Sequence, residues 1–518
     1  MNRHYGRARL AVLAASVGAT VAIASLGSAG SAMASITCSS PGYASGSSLQ
    51  NNAQQSIWLT AGDWGTHTEC SSFPSITYTG TSSGGGLNEY GNVSGKLNAE
   101  EDATAFKSAT GIKDKAGQVL DWYVGTDDPP STGNLDNAIV ASGDKNGNFE
   151  EITIPVAQAP VAVMLSLPTE CLVPTGTTFN LDGKDLEQLW EGTNPAESSD
   201  NDPGGIPAQG GYGAATWGAL LTELEYTKTA TNPPTEAGTF FDGGGAHGCG
   251  QAINLQVRSS YSGTTYAFKS YLNADGNDLV FNPTSKQFAT QNLWTGYISD
   301  APVWPATVTS AGNGKGSQEV QDTAKTPGSV GYANTSDAVA AANGGFTNQV
   351  ATSTFGSSES HQIVYVNLQN NVGLVAQDEA EKISPPAKTY ADPVQTGTQI
   401  GNCETDKLLP GDKSPPYSYT DSWYGITSED PNVGVDDTSA NWYPACALTY
   451  DLVWRHYNAG GLFTSEAAVG IANSVKDLFK YVTGEAGQSA IKADYYTGVP
   501  AASVWKSHIK LAVEAITG

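Results

Sequence analysis

The stretch Arg258-Ser259-Ser260-Tyr261-Ser262-Gly263-Thr264-Thr265 lies between two segments of different periodicity. Residues 252–257 before it alternate apolar and polar side chains, which is typical of a half-buried strand. Residues 266–272 after it place their apolar side chains at helical spacing. The pattern predicts a strand, a tight turn and the start of a helix that is capped by Ser262 or Thr264. The free N–H groups and positive dipole end of such a helix would face the same ligand as Arg258, so the stretch predicts an anion site.

The chain is acidic and has few arginines. Its formal net charge is −26, and outside the first nine residues its only arginines are Arg258 and Arg455. An acidic surface repels nucleic acid and anionic lipid, so we expect neither as a partner. It also repels small anions at long range. An anion site in this chain must therefore depend on local hydrogen bonds rather than on a broad positive field.

The N-terminus is typical of a secretory signal peptide. Three arginines within the first nine residues precede an apolar run over residues 10–26, and Ala32-Met33-Ala34 fits a cleavage site. We expect cleavage near Ala34 to remove residues 1–34, which changes the net charge to −26 − 3 = −29 and gives a secreted or cell-envelope (periplasmic-type) protein. No later segment is long and apolar enough to span a bilayer, so we expect no membrane insertion after the signal is removed.

An even number of cysteines follows the predicted signal peptide, which favours three disulfides in an exported chain. These cysteines are Cys38, Cys70, Cys171, Cys249, Cys403 and Cys446. Their spacing alone allows fifteen pairings, of which Cys38 with Cys70 is the one local pairing that we predict. None of them lies in a CxxC pattern, so the sequence indicates neither a metal site nor a cofactor.

Small polar residues follow other predicted strands. Gly46-Ser47-Ser48-Leu49 opens a segment whose apolar spacing predicts a helix as far as Trp58. A predicted strand over residues 75–78 leads into Gly80-Thr81-Ser82-Ser83-Gly84-Gly85-Gly86, and a further predicted strand ends at Asp127. A glycine-rich turn between a strand and a helix brings N–H groups close to an anion. A flexible linker is the alternative interpretation of that turn.

Three buried strands are predicted to connect two domains. Those over residues 152–156 and 160–165 would make one crossing, and one over residues 443–454 would make the return crossing. Residues 192–250 and 378–437 are rich in turn-forming or acidic residues and lack a long periodic pattern. We interpret both as loop-rich insertions.

The remaining segments alternate between strand and helix patterns. Residues 361–368 predict one strand, residues 215–226 predict a short helical island, and residues 465–482, 487–493 and 501–516 predict helices near the C-terminus. This alternation predicts α/β sheets that bind their ligand at the carboxyl ends of strands.

In their order along the chain, these turns resemble the phosphate-binding proteins of ABC phosphate importers, which are PstS-like and have the type II periplasmic-binding-protein fold. The matching pieces span most of the chain after the signal peptide, and the stretch that begins at Arg258 is the most specific of them. Besides the turns quoted above, they are Thr126-Asp127-Asp128-Pro129, Ile154-Pro155-Val156, Val161-Ala162-Val163, Leu181-Asp182-Gly183-Lys184, Trp304-Pro305, Gly312-Asn313-Gly314-Lys315-Gly316-Ser317, Gly331-Tyr332 and the ending from Tyr496 to Pro500.

The resemblance implies an α/β fold of two lobes, with mixed sheets flanked by helices, joined by two crossings and closing on a dehydrated phosphate ion. It assigns residues 35–157 and 446–518 to lobe 1, and residues 158–445 with the two insertions to lobe 2. It also implies a monomeric substrate-binding protein rather than an enzyme. Inorganic phosphate is then the ligand, an ABC phosphate permease is the partner, and no cofactor is needed.

The resemblance also assigns the phosphate ligands. They fall on Ser48, Ser83, Asp127, Arg258, Ser262, Gly263 and Thr264. Hydroxyls, N–H groups and the guanidinium donate to phosphate oxygens. Ionised Asp127 can only accept, so it requires a ligand that still carries a proton. Sulfate carries none at neutral pH and would set a like charge against the carboxylate.

The turn after Arg258 departs from the family pattern. Ser260 and Tyr261 stand where the family usually has an acidic residue and a glycine, and Ser48 stands where threonine is common. Because the turn holds no acid, the sequence predicts that Arg258 lacks an orienting carboxylate there.

Two other functions are consistent with parts of the sequence. A secreted phosphatase requires a nucleophile with a base, or a metal cluster. Ser262 is not in a G-x-S-x-G elbow, no HExxH spacing occurs, and His247 is the one histidine in a loop that is a candidate to approach the site. The second alternative is a surface interaction protein that kept the fold and lost the pocket. The long insertions favour it, and the intact set of polar ligands opposes it.

Overall fold

The computed structural model describes residues 36–86, 121–127, 151–169, 171, 173–181, 186, 217, 220, 225–227, 251–258, 262–275, 309–311, 316–356, 359–370, 389–403, 442–458, 465–499 and 503–518. The predicted signal peptide, most of both predicted insertions, His247, and the turn residues Ser260 and Tyr261 lie outside this part of the chain.

Three parallel strands form one side of the main sheet. Strand β1 (Gly42–Gly46) lies between β2 (Ile76–Gly80) and β3 (Tyr123–Thr126) and runs parallel to both. The strands predicted over residues 75–78 and before Asp127 are therefore confirmed. Because the three strands are parallel, their carboxyl ends meet at one edge of the sheet.

A second parallel group forms the other side of the same sheet. Strand β7 (Asn254–Arg258) lies between β8 (Thr309–Ala311) and β9 (Ser329–Asn334) and runs parallel to both. The strand that the alternation before Arg258 predicts is thus confirmed, and Arg258 is its last residue.

An antiparallel pair connects the two parallel groups. Strand β4 (Glu151–Leu167) pairs through its first part with β14 (Cys446–Trp454), and through its second part with β9 and with β11 (His361–Tyr365). Within the described residues the order across the sheet is β2-β1-β3-β14-β4-β9-β7-β8, with β11 also beside β4 and β10 (Ala351–Ser353) beside β11. Strand β14, which pairs with β3, and strand β4, which pairs with β9, thus connect the two groups.

The crossing strand is longer than the sequence pattern predicts. The strands expected over residues 152–156 and 160–165 are one continuous strand. It includes Pro155 and Pro160, which have no N–H group to donate. The pairing with β14 shifts register between Thr449 and Tyr450, and Tyr450 lies opposite Pro155. A shift of this kind accommodates a residue that has no N–H to donate.

The single strand predicted over residues 361–368 is wrong, because the chain changes sheets there. Tyr365 pairs with Met164 of the main sheet, whereas β12 (Asn367–Asn370) belongs to a second sheet. Among the described residues, the second sheet has the order β13-β12-β5-β6, with β13 (Thr389–Ala391), β5 (Thr178–Leu181) and β6 (Glu225–Thr227). Val366, between the two strands, is fully buried, so the hydrophobic alternation continues through the change and does not mark it.

Two other predictions fail in the same region. Trp217 and Leu220 are helical as expected, but the predicted helical island ends in strand β6 instead. Strand β13 lies inside the segment predicted as loop over residues 378–437. Strands of three residues carry too short a pattern to be recognised in a sequence, and pairing with β12 and β5 stabilises them.

The helices predicted after Ser262 and over residues 465–482, 487–493 and 501–516 are confirmed within a few residues at their ends, whereas two short helices, Trp64–His67 and Thr335–Val339, were not predicted. A helix over residues 51–58 has a π-helical second part, Ala53–Trp58. The helices are α1 (Trp64–His67), α2 (Gly263–Asp275), α3 (Gly316–Lys325), α4 (Thr335–Val339), α5 (Ser465–Val482), α6 (Glu485–Ala490), followed by a 3-10 turn over Ile491–Asp494, and α7 (Ser503–Glu514). None of the helices in the described residues is long and apolar enough to cross a membrane.

Two buried tryptophans, Trp58 and Trp64, pack against the C-terminal helices and donate hydrogen bonds to them. Trp58 and Trp64 are fully buried. The Trp58 indole N–H donates to the Gly487 carbonyl (3.1 Å), and that of Trp64 donates to the Asp477 carboxylate on α5 (2.8 Å). A buried indole contributes a large apolar area and needs one acceptor, and both requirements are met here.

The disulfides agree with the one pairing that the sequence predicts. Cys38 is bonded to Cys70, and Cys403 is bonded to Cys446 at the first residue of β14. Cys171 is also disulfide-bonded. Disulfides of this kind form and persist in oxidising compartments, which fits an extracellular or periplasmic location.

We expect Gly46→Ala to destabilise the protein strongly. Gly46 has a φ of +124°, and a Cβ there would overlap the backbone of Gly125, with the Gly125 nitrogen 2.7 Å away. A side chain therefore separates β1 from β3 and also strains the backbone. We expect a loss of about 2–4 kcal/mol in urea unfolding.

Gly62→Ala is the matched control, because Gly62 is exposed and a Cβ there meets only Thr60 Oγ1 at 3.9 Å. Equal stabilities of the two variants would contradict the close approach of β1 and β3.

Candidate anion-binding site

Polar residues follow each strand of the first parallel group. Ser47 and Ser48 follow β1, Ser83 follows β2 after a short turn, and Asp127 follows β3. The Ser47 Oγ accepts hydrogen bonds from the N–H groups of Leu49 (3.1 Å) and Gln50. Side-chain oxygens in this position satisfy N–H groups at the start of a helical segment. The shared edge of the sheet brings these hydroxyls to the Asp127 carboxylate.

Three hydroxyl groups donate to Asp127. The Ser47 Oγ and the Thr449 Oγ1 (3.1 Å) donate to its Oδ1, and the Ser83 Oγ donates to its Oδ2 (3.1 Å). The Asp127 N–H in turn donates to the Ser83 Oγ (3.1 Å). A carboxylate offers about four lone-pair sites, so the described donors leave about one for a further donor.

The surroundings of Asp127 change its acidity in two directions. Burial raises the pKa of Asp127 from 3.8 to about 6, while hydrogen bonds from Ser47, Ser83 and Thr449 and the charge of Arg258 oppose the rise. With a pKa near 6 the carboxyl is mostly ionised at neutral pH and becomes protonated in mild acid. At neutral pH it acts as an acceptor.

Arg258 is buried at the end of β7, with 1% of its surface exposed. Its Nη2 donates to the Ser48 Oγ (3.2 Å), which joins the two parallel groups of strands. Its charge also opposes the rise in the pKa values of three buried carboxyls, Asp127, Glu319 and Asp337, which burial produces. A buried guanidinium requires such compensation, because its desolvation is otherwise costly.

The start of α2 supplies N–H groups beside Asp127. The Ser262 Oγ accepts from the Thr265 N–H (3.3 Å), so Ser262 caps the helix as the sequence predicts. A Cβ added to Gly263 would lie 2.5 Å from the Ser83 Oγ and 2.7 Å from the Asp127 Cβ. Only glycine permits this approach between the helix start and the first strand group. Thr264, the next residue, is buried with 1% of its surface exposed.

A further set of hydrogen bonds surrounds Asp337, whose pKa the charge of Arg258 affects. The Asn52 Nδ2 donates to the Ser336 Oγ (2.9 Å) and to the Asp337 Oδ1 (3.3 Å). Asn334 caps α4 by accepting from the Asp337 N–H (2.7 Å), and its own amide donates to the Asp337 Oδ2 (2.7 Å). Burial raises the pKa of Asp337 to about 6. These bonds hold the helix that follows β1 against α4.

All seven predicted ligand positions are described and buried, and the structure brings them together in two linked groups. Ser48 contacts Arg258, and Ser83 and Gly263 lie against Asp127, while Ser262 and Thr264 flank Gly263. In the described residues, no group of three or more histidines, cysteines, aspartates or glutamates could hold a metal ion.

Three residues near the site were missed by the sequence analysis. The sequence pattern singles out Ser48 rather than Ser47, although the Ser47 hydroxyl binds Asp127. Thr449 lies in the return strand, and no local pattern indicates which of that strand's residues face Asp127. Glu319, in α3, is fully buried near Arg258. A buried carboxylate in an amphipathic helix gives no sequence signal that separates it from a solvated one.

The structure is similar to those of known phosphate-binding proteins. A high-affinity periplasmic phosphate-binding protein (PfluDING) superposes with a TM-score of 0.53 at 17% identity, covering 91% of this chain and 93% of the other. The chain has the two-lobed fold of a periplasmic phosphate-binding protein. An ancestral soluble variant of the human phosphate-binding protein gives a TM-score of 0.54 at 16% identity, covering 91% and 93%. A phosphate-binding protein from Stenotrophomonas maltophilia gives 0.53 at 12% identity, covering 91% and 94%.

These similarities confirm the predicted fold class: an α/β fold of two lobes with two crossing strands and sheets flanked by helices. No protein-family profile matches the sequence, and no curated protein matches it. At such identities the similarity concerns the fold alone. The lobe boundaries and the ligand residues remain predictions.

We expect the unliganded protein to gain stability as the pH falls from about 7.5 to about 5. Because burial raises the pKa of Asp127 from 3.8 to about 6, the folded state keeps a proton that the unfolded state has released between these values. Folding is thus favoured as the pH falls through 6, by about 1 kcal/mol at pH 5 from this group. Urea unfolding at both pH values measures the gain. Asp127→Asn removes this contribution, and an equal gain in variant and wild type would contradict the raised pKa.

Proposed function

We propose that the chain is a secreted substrate-binding protein that captures hydrogen phosphate between its two lobes. The observation that carries the proposal is the approach of the Gly263 backbone to Asp127 and Ser83, beside the buried Arg258. Donors together with one acceptor are what a protonated anion requires, so this approach supports the proposal. The names of the structural neighbours, which are phosphate-binding proteins, support the same ligand.

Donors from both strand groups would bind the phosphate oxygens. The Arg258 guanidinium supplies charge-assisted bonds, and the N–H groups at the start of α2 lie at the positive end of a helix dipole. The hydroxyls of Ser48, Ser262 and Thr264 complete the set. In the structure the Ser83 hydroxyl donates to Asp127, so it must rotate before it donates to the ligand.

Asp127 would select for a protonated anion. Its remaining lone-pair site accepts an O–H, which hydrogen phosphate provides and sulfate lacks at neutral pH. Sulfate would instead place an oxygen charge against the buried carboxylate, at a cost of several kcal/mol. The selection thus depends on the ionised state of Asp127, which its pKa of about 6 allows at neutral pH.

The proposal also includes export of the protein and delivery of the bound phosphate. The predicted signal peptide and the disulfides support export, and a two-lobed binding protein fits delivery of phosphate to an ABC permease by a monomer. Residues 35–157 and 446–518 would form lobe 1, and residues 158–445 would form lobe 2. The structural neighbours are named as binding proteins, which supports binding without turnover.

Calorimetry at neutral pH tests the proposal. Bound ligand is removed by partial unfolding and refolding, and phosphate and sulfate are titrated separately. We expect tight phosphate binding, no heat with sulfate, and loss of phosphate binding in Arg258→Ala. Binding of neither anion by a folded wild type would instead favour a surface protein that lost the pocket.

We expect Asp127→Asn to admit sulfate. The amide removes the like-charge contact and can donate to an unprotonated oxygen, so the ratio of the sulfate Kd to the phosphate Kd should fall by about tenfold or more. Asp337→Asn is the matched control, because Asp337 is also buried near Arg258 but is hydrogen-bonded to Asn334 and Asn52 instead. An unchanged ratio in Asp127→Asn would refute the role given to Asp127.

A further inference from the structure

A hydroxyl from the return strand β14 lies against the Asp127 carboxylate. Strands β3 and β14 are antiparallel and Tyr450 pairs with Thr126, so Thr449 lies opposite Asp127 where β3 ends. The Thr449 Oγ1 donates to the Asp127 Oδ1 (3.1 Å), with the Thr126 carbonyl as a more distant second acceptor (3.3 Å). Thr449 is fully buried, so bulk water does not compete for its hydroxyl.

The two oxygens of the Asp127 carboxylate have different surroundings. Oδ1 accepts from the hydroxyls of Thr449 and Ser47. Oδ2 accepts from Ser83, and it is the atom nearest to a Cβ placed on Gly263 at the start of α2. The proposed anion lies at the start of α2, so Oδ2 is the oxygen that faces its O–H. The donors on Oδ1 therefore hold the carboxylate without occupying the oxygen that faces the ligand.

The Gln50 amide determines where the hydrogen of the Thr449 hydroxyl points. The Gln50 Nε2 donates to the Tyr450 carbonyl (2.8 Å), which can only accept, so the amide nitrogen rather than the amide oxygen lies on this side. The same Nε2 donates its second hydrogen to the Thr449 Oγ1. The hydroxyl cannot donate back to an N–H group, so its own hydrogen is directed to Asp127 or to the Thr126 carbonyl.

A second buried amide holds Gln50 in this orientation. Gln54 lies four residues after Gln50, on the same face of the helical segment, and its Nε2 donates to the Gln50 Oε1 (3.0 Å) and to the Asp451 Oδ2 (3.2 Å). Its Oε1 accepts from the Tyr123 hydroxyl (2.8 Å). Gly125 makes room for the pair, because a Cβ there would lie 2.8 Å from the Gln50 Oε1. The hydrogens of both amides thus have acceptors, which fixes the two orientations.

We propose that Thr449 is a positioning residue for anion selectivity, which together with Gln50 keeps Asp127 ionised and its Oδ2 turned toward a protonated ligand. A hydroxyl that donates to Oδ1 stabilises the carboxylate relative to the neutral carboxyl. A neutral carboxyl carries an O–H that can donate to sulfate, so the exclusion of sulfate depends on this donor. Thr449 itself does not contact the ligand in this scheme. The inference rests on the proposed function, because it takes phosphate as the ligand and Asp127 as the residue that selects it.

A purely structural role for Thr449 predicts a different result. If the hydroxyl only stabilises the packing of β14 on β3, its removal lowers thermal stability or weakens the binding of phosphate and sulfate equally. If the hydroxyl keeps Asp127 selective, its removal strengthens sulfate binding relative to phosphate binding. The ratio of the sulfate Kd to the phosphate Kd therefore separates the two roles.

Calorimetry on the full chain at neutral pH measures this ratio. Phosphate is titrated without sulfate and with sulfate in large excess, and the sulfate Kd follows from the apparent weakening of phosphate binding. Thr449→Val keeps the shape of the side chain and removes the donor, so the ratio should fall by about fivefold or more. Thr449→Ser keeps a hydroxyl and should restore the wild-type ratio.

Thr153→Val is the matched control, because Thr153 is a buried threonine on the neighbouring strand β4. It lies opposite Leu452 of β14 and is not one of the three hydroxyls that donate to Asp127. We expect this variant to keep the wild-type ratio.

Gln50→Met tests the amide and keeps the inference open to refutation if Thr449→Val does not fold. Loss of the Nε2 donor lets the Thr449 hydroxyl turn away from Asp127, so the ratio should fall by about twofold or more. In a Thr449→Val background the same change should have no further effect, because Gln50 acts through Thr449. Equal effects of Gln50→Met in the two backgrounds would overturn the role given to Gln50.

The outcomes distinguish this inference from the proposed function. No phosphate binding by the folded wild type defeats both. A ratio that falls in Asp127→Asn but stays unchanged in Thr449→Val defeats only the inference about Thr449. Failure of Thr449→Ser to restore the ratio, or an equal fall in Thr153→Val, would also overturn it, because the effect would then not depend on a hydroxyl at Asp127.

Discussion

A buried guanidinium in a strongly acidic chain is the constraint on which the site depends. Arg258 is almost fully buried, and the chain as a whole carries a net charge of −26. The carboxyls of Asp127, Glu319 and Asp337 compensate its charge from three different elements: the end of β3, helix α3 and helix α4. Burial raises the pKa values of all three, and the charge of Arg258 opposes that rise in each. The guanidinium thus couples elements that are far apart in sequence.

Backbone packing imposes the second constraint. The start of α2 approaches Asp127 and Ser83 so closely that only glycine fits at position 263, and β1 approaches β3 so closely that only glycine fits at position 46. Both contacts lie at the carboxyl ends of parallel strands, where helix starts and side-chain hydroxyls converge. At positions 46 and 263 the constraint is set by how closely the backbone of one element approaches the next, so it depends on where the chain runs.

Local patterns predicted the parts of the structure that local physics determines. The strand before Arg258, the Ser262 cap and helix α5 follow from hydrophobic period and capping, which depend on near neighbours in the sequence. The change of sheet at Val366 and the contact of Thr449 with Asp127 did not, because each depends on which distant strand lies alongside. Glu319 was missed for the same reason: only the packing of α3 on the sheet shows that its carboxylate is buried.

Hydrogen bonds and Coulomb attraction differ in how strictly they fix the positions of the residues that make them. A hydrogen bond weakens within a few tenths of an ångström and beyond a limited range of angles, so the positions of the donors proposed at the start of α2 are narrowly constrained. Coulomb attraction falls only as the inverse of distance, so a carboxylate can compensate a guanidinium from several directions. In this chain the turn after Arg258 keeps Ser262, Gly263 and Thr264 and has no acid, while α3 brings a buried acid from more than fifty residues away. Donor positions are thus fixed by the backbone, whereas the compensating charge is free to come from whichever neighbouring element packs against the arginine.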